Sequence, residues 1–316
     1  MDTRIAVIGA RGIGRHHANW WHLEGAEVCA ILGTSNESVN ETDAALRGMF
    51  GFRGRGYTDF SALLHEQQPR IVDICSPPEH HAAHVRQALE AGCQVLCEKP
   101  FVYDARSNTE AILGEANALQ ELAERRGLRL SVCTQYSTGA RFFREHWERH
   151  HRGEPIRRYH GHLESPAKGR AADPARVWVD LSPHVISVFT ALFPGARVQW
   201  DTLTCRFQGY EAIASFDVTT DAGEPVACEL FTRNRTEAPN NVRHFRLNGA
   251  LFDVEGARDE DGVFHARIQT PEGAVDTPDM MRLLIRDFLA GRPTTTPAED
   301  LTNLTLMLTL LDRARA

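Results

Sequence analysis

Between residues 4 and 132, five short apolar runs at 5–8, 28–32, 71–75, 95–97 and 128–132 are separated by stretches of helical periodicity at 13–23, 59–66, 81–90 and 108–126. A run of consecutive apolar residues has no polar face, so such a strand must be covered on both sides. Strands alternating with helices meet that demand as a parallel sheet with helices on both faces. Residues 1–130 are therefore expected to form a doubly wound α/β domain. The remainder, 131–316, has longer alternating stretches at 159–163, 198–207, 212–218, 226–231, 244–247 and 264–268, which predict antiparallel or mixed strands. Helices at 180–192, 279–290 and 298–313 would cover one face. The expectation is an α+β domain with a large open sheet, whose last helix, about 298–314, packs back on the first domain.

Directly after the first apolar run stands Gly9-Ala10-Arg11-Gly12-Ile13-Gly14, opening a helix. In that context glycines serve a dinucleotide: Gly9 for a tight turn, Gly14 for close helix–strand packing, and the helix N-terminus for a pyrophosphate. Arg11 occupies the middle glycine position, where its side chain obstructs the backbone, while Gly12 restores room and the guanidinium can pair with phosphate. After the second run comes Gly33-Thr34-Ser35-Asn36, with no carboxylate before Glu37. Hydroxyl residues without an acid suit a ribose 2'-phosphate better than a 2'-hydroxyl, so NADP(H) is favoured over NAD(H).

Lysine occurs twice, at Lys99 and Lys168, and arginine makes up the rest of the 35 basic residues. In so arginine-rich a chain, a retained lysine points to a need for a compact, titratable ammonium group. Lys99 follows the strand-like run ending in Cys97-Glu98 and precedes Pro100, which stops the strand. Ligands of open α/β sheets bind beyond such strand ends. Asp180 and His184 lie four apart and would project from one helix face.

Gly9 to Gly14, Ser76-Pro77-Pro78-Glu79-His80-His81, Glu98-Lys99-Pro100 and Asp180-Leu181-Ser182-Pro183-His184, in this order, resemble the Gfo/Idh/MocA oxidoreductases. The resemblance implies a Rossmann domain followed by an α/β domain whose open sheet often forms the oligomer interface, hence a homodimer or homotetramer. It implies nicotinamide-dependent redox chemistry on a small, sugar-like or related carbonyl compound. By it, Ser76, Pro77 and His81 line the cofactor groove, Glu98 contacts the nicotinamide ribose, Lys99 reaches the substrate oxygen, and His184, oriented by Asp180, moves the proton. Gln135 falls where the family has an amide facing cofactor or substrate. Trp178 either walls the nicotinamide site or belongs to the core, and His162 either faces the substrate cleft or lies on a solvated sheet face. The family's usual arginine and aspartate are replaced by Ser137 and Ser187, which puts an ordinary sugar or inositol substrate in question.

A formal net charge of -7 argues against a nucleic-acid or membrane-surface role, which needs clustered positive charge. The start of the chain lacks a leader pattern, no stretch reaches membrane-spanning length, and the seven cysteines include no Cys-x-x-Cys pair. A cytoplasmic protein with reduced thiols is expected. The histidines at 80, 81 and 84, and at 160 and 162 beside Glu164, lack a completing ligand set, so no metal is expected. Two other functions compete: NADPH-dependent reduction of an imine, and a non-catalytic nucleotide-sensing or partner-binding protein on the same fold.

Overall fold

The computed structural model describes residues 3–238, 241–260 and 263–315. The chain divides into two compact units, one of the residues up to Cys133 together with Leu284–Pro297, the other of Thr134–Leu283 together with the residues from Ala298 on.

The first unit holds β1 (Arg4–Ile8), β2 (Glu27–Leu32), β3 (Arg55–Tyr57), β4 (Ile71–Ile74), β5 (Gln94–Glu98) and β6 (Leu130–Cys133) in one sheet of order β3-β2-β1-β4-β5-β6. All its pairings are parallel. The interleaved helices are α1 (Ile13–Leu23), α2 (Asn36–Phe50), α3 (Phe60–Gln67), α4 (His81–Glu90) and α5 (Thr109–Arg126). Side-chain oxygens start three of them: Ser35 caps α2, Asp59 caps α3 and Asn108 caps α5, each accepting from a backbone N–H in the first turn. The doubly wound sheet is as the apolar runs imply. Helix α2 and strand β3 escape the sequence pattern because α2 buries only Ser38, Val39, Thr42 and Leu46, too thin and polar a stripe to stand out.

The second unit carries α6 (Ser137–His150), β7 (Arg158–Pro166), α7 (Pro174–Leu192), β8 (Arg197–Gln208), β9 (Glu211–Thr219), β10 (Pro225–Arg235), β11 (Val242–Leu247), β12 (Ala250–Arg258), β13 (Phe264–Thr270) and β14 (Gly273–Pro278). Its eight strands run β14-β13-β12-β11-β7-β10-β9-β8. The β7–β10 pair is parallel and the others antiparallel, so the sheet is mixed as expected. Helix α7 lies on one face, where Tyr159 Oη donates to Val185 O at 2.8 Å. Gly161 permits this approach, since a Cβ there would meet Val185 Cβ at 2.9 Å. Helix α7 begins before the expected residue 180, because Asp173 caps it through Arg176 N and Pro174 takes the first turn.

The division between the units falls at Cys133 and again within α8 (Met280–Leu289), so it is Leu284–Pro297 that returns to the first unit. Helix α9 spans Pro297–Arg315. It belongs to the second unit, where Trp178 Nε1 donates to Met307 O at 2.9 Å, Asn303 Nδ2 to Pro183 O at 2.7 Å and Arg313 Nη1 to Leu203 O at 2.8 Å. Apolar residues over most of its circumference fit a helix buried in a core. Among the described residues no helix is long and apolar enough to cross a membrane.

Trp178 is completely buried and anchors α9 through its indole N–H. Truncating Trp178→Ala should cost about 3–5 kcal/mol and lower the urea midpoint of the second unit. Trp200→Ala, at a site 43% exposed, should stay within about 0.5 kcal/mol of the parent.

Candidate active site

In the first unit the strand order reverses between β1 and β4, the switch point where open α/β sheets bind ligands. The turn after β1 lies hard against the end of β4. Gly9 has φ +78°, and a Cβ on it would sit 2.8 Å from Cys75 O and Ser76 N. A Cβ on Gly14 would sit 2.5 Å from Gly9 O, so this helix–strand contact admits no side chain. Gly12, at φ +68°, opens α1 with nothing within 4 Å of its would-be Cβ, and no side chain caps the helix. These are the features a dinucleotide pyrophosphate requires: open space, close backbone and uncapped amides.

Arg11 and Ile13 are exposed beside this turn, and Arg11 forms an ion pair of 3.4 Å with Glu41 of α2. At the end of β2, a Cβ on Gly33 would meet Ser38 Oγ at 2.8 Å, so glycine lets α2 start close to the strand. Thr34 and Ser35 are exposed, and Ser35 Oγ accepts from Ser38 N.

At the end of β4, Ser76 Oγ lies 2.9 Å from His84 Nδ1 and Pro77 is exposed. His81 departs from its expected place along the groove. It is fully buried, with Nε2 2.7 Å from Ser76 O and Nδ1 3.0 Å from Pro100 O. Its ring braces the chain after β4 against the chain after β5. Glu98 and Lys99 stand at the carboxyl end of β5, where Lys99 N donates to Glu98 Oε2 at 3.1 Å and the Lys99–Pro100 peptide is cis. Beneath them, His17 of α1 lies between Glu98 and the buried Asp73 of β4. The sequence reading missed His17 and Asp73 as site residues. The available signal was a carboxylate inside an otherwise apolar strand, since such a group must find partners.

In the second unit Asp180 and His184 lie one turn apart on α7, with Pro183 inside that helix just before His184. The His184 ring stands edge-on to Tyr136, with centroids 5.2 Å apart. Tyr136, unnoticed in the sequence, is buried against Phe245 and under the Arg243 guanidinium. Gln135 precedes it in the loop leading into α6. Ser137 Oγ donates to Thr134 O and Ser187 Oγ to His184 O, both 2.8 Å, so these hydroxyls are spent on nearby backbone.

Two expected substrate residues lie elsewhere. Trp178 is core, its ring on Phe207 and its N–H on Met307 O. His162 alternates with Tyr159 and Leu163 along β7 and therefore lies on the face turned away from α7, the helix of Asp180 and His184. There its Nε2 meets Glu164 Oε1 at 2.7 Å, and Arg235 donates to the other Glu164 oxygen at 2.7 Å.

The sequence model of a family described as oxidoreductases with an NAD-binding Rossmann fold matches residues 3–134. That stretch is similar to the Rossmann domain of the Gfo/Idh/MocA oxidoreductases. D-apiose dehydrogenase of Paraburkholderia graminis is 31% identical over 128 residues, which are 40% of this chain and 31% of that protein. D-glucoside 3-dehydrogenase of Escherichia coli is 35% identical over 102 residues, which are 31% of this chain and 27% of that protein. The matched segment thus spans about a third of these relatives' length. The fold recurs in UDP-N-acetylglucosamine 3-dehydrogenase from Acidithiobacillus ferrooxidans, with a TM-score of 0.70 at 23% identity over 98% of this chain and 97% of that one.

His84, against Ser76, carries a pH signature. Burial first, with the neighbouring His80 and His81 adding to it, lowers its pKa to about 4. The unfolded chain would titrate near the ordinary histidine value of about 6.5, so between these values the unfolded state binds more protons and stability falls as pH falls. Thermal melts from pH 6.5 to 4 should show a shallower loss for His84→Gln than for the parent; parallel losses would remove His84 from the acid response.

Proposed function

We propose that this chain is an NAD(P)-dependent oxidoreductase acting on a carbonyl or hydroxyl carbon of a small, polar, sugar-like molecule. The observation that carries this reading is the first unit's switch point: an uncapped, glycine-lined turn after β1 with Glu98-Lys99-Pro100 at the end of β5 in the same sheet. Support for the substrate class comes from relatives named as dehydrogenases of D-apiose and D-glucosides.

When bound, the nicotinamide cofactor supplies or accepts hydride. Gly12, Ile13 and Gly14 offer backbone N–H groups to its pyrophosphate, and Glu98 accepts from the nicotinamide ribose. The Lys99 ammonium hydrogen-bonds the substrate oxygen, stabilising the alkoxide that forms as hydride arrives in reduction or as the hydroxyl loses its proton in oxidation. His184 gives or takes that proton, as suits a residue type whose unperturbed pKa lies near neutral pH, and Asp180, one turn earlier on α7, orients its ring. Gln135 and Tyr136 precede α6 and border the His184 side of the substrate. NADP(H) is the favoured cofactor. The exposed Thr34 and Ser35 and the start of α2 suit a 2'-phosphate, and Arg11, reaching Glu41 of α2, supplies the basic group that residues 33–36 lack. The protein works as a soluble homodimer or homotetramer assembled through the second unit's sheet.

The test combines binding and turnover. Quenching of intrinsic fluorescence should show NADPH binding more tightly than NADH, and Lys99→Ala should nearly abolish turnover while changing cofactor affinity by only a small factor. Failure of both nucleotides to bind would exclude the oxidoreductase reading, and full activity in Lys99→Ala would remove Lys99 from the chemistry.

A further inference from the structure

Asp73 is a fully buried carboxylate on the central strand β4, and each of its oxygens is engaged. Oδ2 accepts from Trp21 Nε1 at 2.6 Å and lies 2.9 Å from His17 Nδ1, while Cys75 Sγ approaches Oδ1 at 3.6 Å. The other side of the His17 ring, Nε2, lies 3.1 Å from Glu98 Oε1. An ionised carboxylate only accepts, and a neutral imidazole has a single N–H. A neutral His17 would therefore turn one bare nitrogen toward a carboxylate oxygen, whereas a doubly protonated ring satisfies both contacts.

The geometry points to His17 as a positioning residue: a buried imidazolium, held by Asp73, that fixes the Glu98 carboxylate and, through the Lys99 N–H on its second oxygen, the Glu98-Lys99 backbone. Its catalytic consequence rests on the oxidoreductase reading, which places Glu98 at the nicotinamide ribose and Lys99 at the substrate oxygen. Around the ring stand Asp73 from β4 and Cys75 just after it, Glu98 from β5, Cys133 from β6, and His16 and Trp20 from its own helix. Burial alone would disfavour the imidazolium, but the groups around the ring outweigh it, Asp73 acting through both its charge and its hydrogen bond, and hold His17 well above the ordinary histidine value. Burial also pushes the Cys75 and Cys133 thiols up, so the anionic charge at the ring is that of the carboxylates.

A metal ion is the rival occupant of this cluster. His17, Glu98 and Cys133, and likewise His17, Asp73 and Cys75, bring three possible donor atoms within 4.8 Å of one another. Such an ion would need a thiolate and a deprotonated ring nitrogen. The raised thiols and the existing hydrogen bonds run against both.

Nitrogen NMR of the cofactor-free protein, with the His17 ring assigned through its backbone, tests the charge state directly. Both ring nitrogens should stay protonated from about pH 6 to about pH 8, and Asp73→Asn should bring the ring's titration into that window. A neutral His17 ring at pH 7 overturns the proposal, as does a stoichiometric metal in the purified protein by atomic emission. In turnover, His17→Gln should raise the KM for the nicotinamide cofactor roughly tenfold or more, as expected for loss of a charged hydrogen bond, with kcat changed less. A folded His17→Gln with an unchanged KM would also overturn it. The NMR readout uses neither cofactor nor activity, so its outcome is separate from that of the oxidoreductase reading, and it requires no substitution that must fold.

Discussion

The close backbone approach between the turn after β1 and its neighbours is the constraint on which the candidate site depends. Gly9 and Gly14 let that turn, the N-terminus of α1 and the end of β4 occupy one small space, where any Cβ would meet backbone at 2.5–2.8 Å. With α1 drawn onto β1 in this way, its first amides are left without a side-chain cap and His17 is carried under β4 and β5. The contact thus shapes the crevice and also places the ring beneath Glu98.

Charge below that crevice is handled by pairing. A buried carboxylate in a parallel strand costs several kcal/mol unless it is hydrogen-bonded and compensated. Asp73 meets the requirement with an indole N–H, an imidazole and a thiol rather than with arginine, although arginine abounds elsewhere in the chain. An imidazole has ring nitrogens on opposite sides, so it can join Asp73 to Glu98, and the deepest charge of the sheet becomes mechanically linked to its rim. His81 does comparable work nearby by bridging Ser76 O and Pro100 O.

What the sequence discloses follows from what each residue must satisfy locally. The unbroken apolar runs within β1, β2 and β5 announce a sheet covered on both faces, and Gly9, Gly12, Gly14 and Glu98-Lys99-Pro100 are legible because chain geometry or order demands them at fixed spacing. Helix α2 stayed hidden because a half-exposed helix with a narrow buried stripe resembles a loop in composition. For His162 the difficulty was different. Alternation tells that two residues share a face, never which face meets a helix, and only Tyr159 against Val185 settles that His162 points away from α7. The link from His17 to Asp73 and Glu98 joins three elements far apart in sequence, and nothing local marks it.

The central claim is that the β1–β4 switch point of the first unit holds a dinucleotide with its nicotinamide at the end of β5. A crystal structure of the protein with NADP+ tests it most directly. The account predicts pyrophosphate density on the Gly12 to Gly14 amides, the adenosine ribose beside Thr34 and Ser35, and the nicotinamide ring next to Lys99. Density elsewhere, or a nicotinamide pointing away from β5, would contradict it.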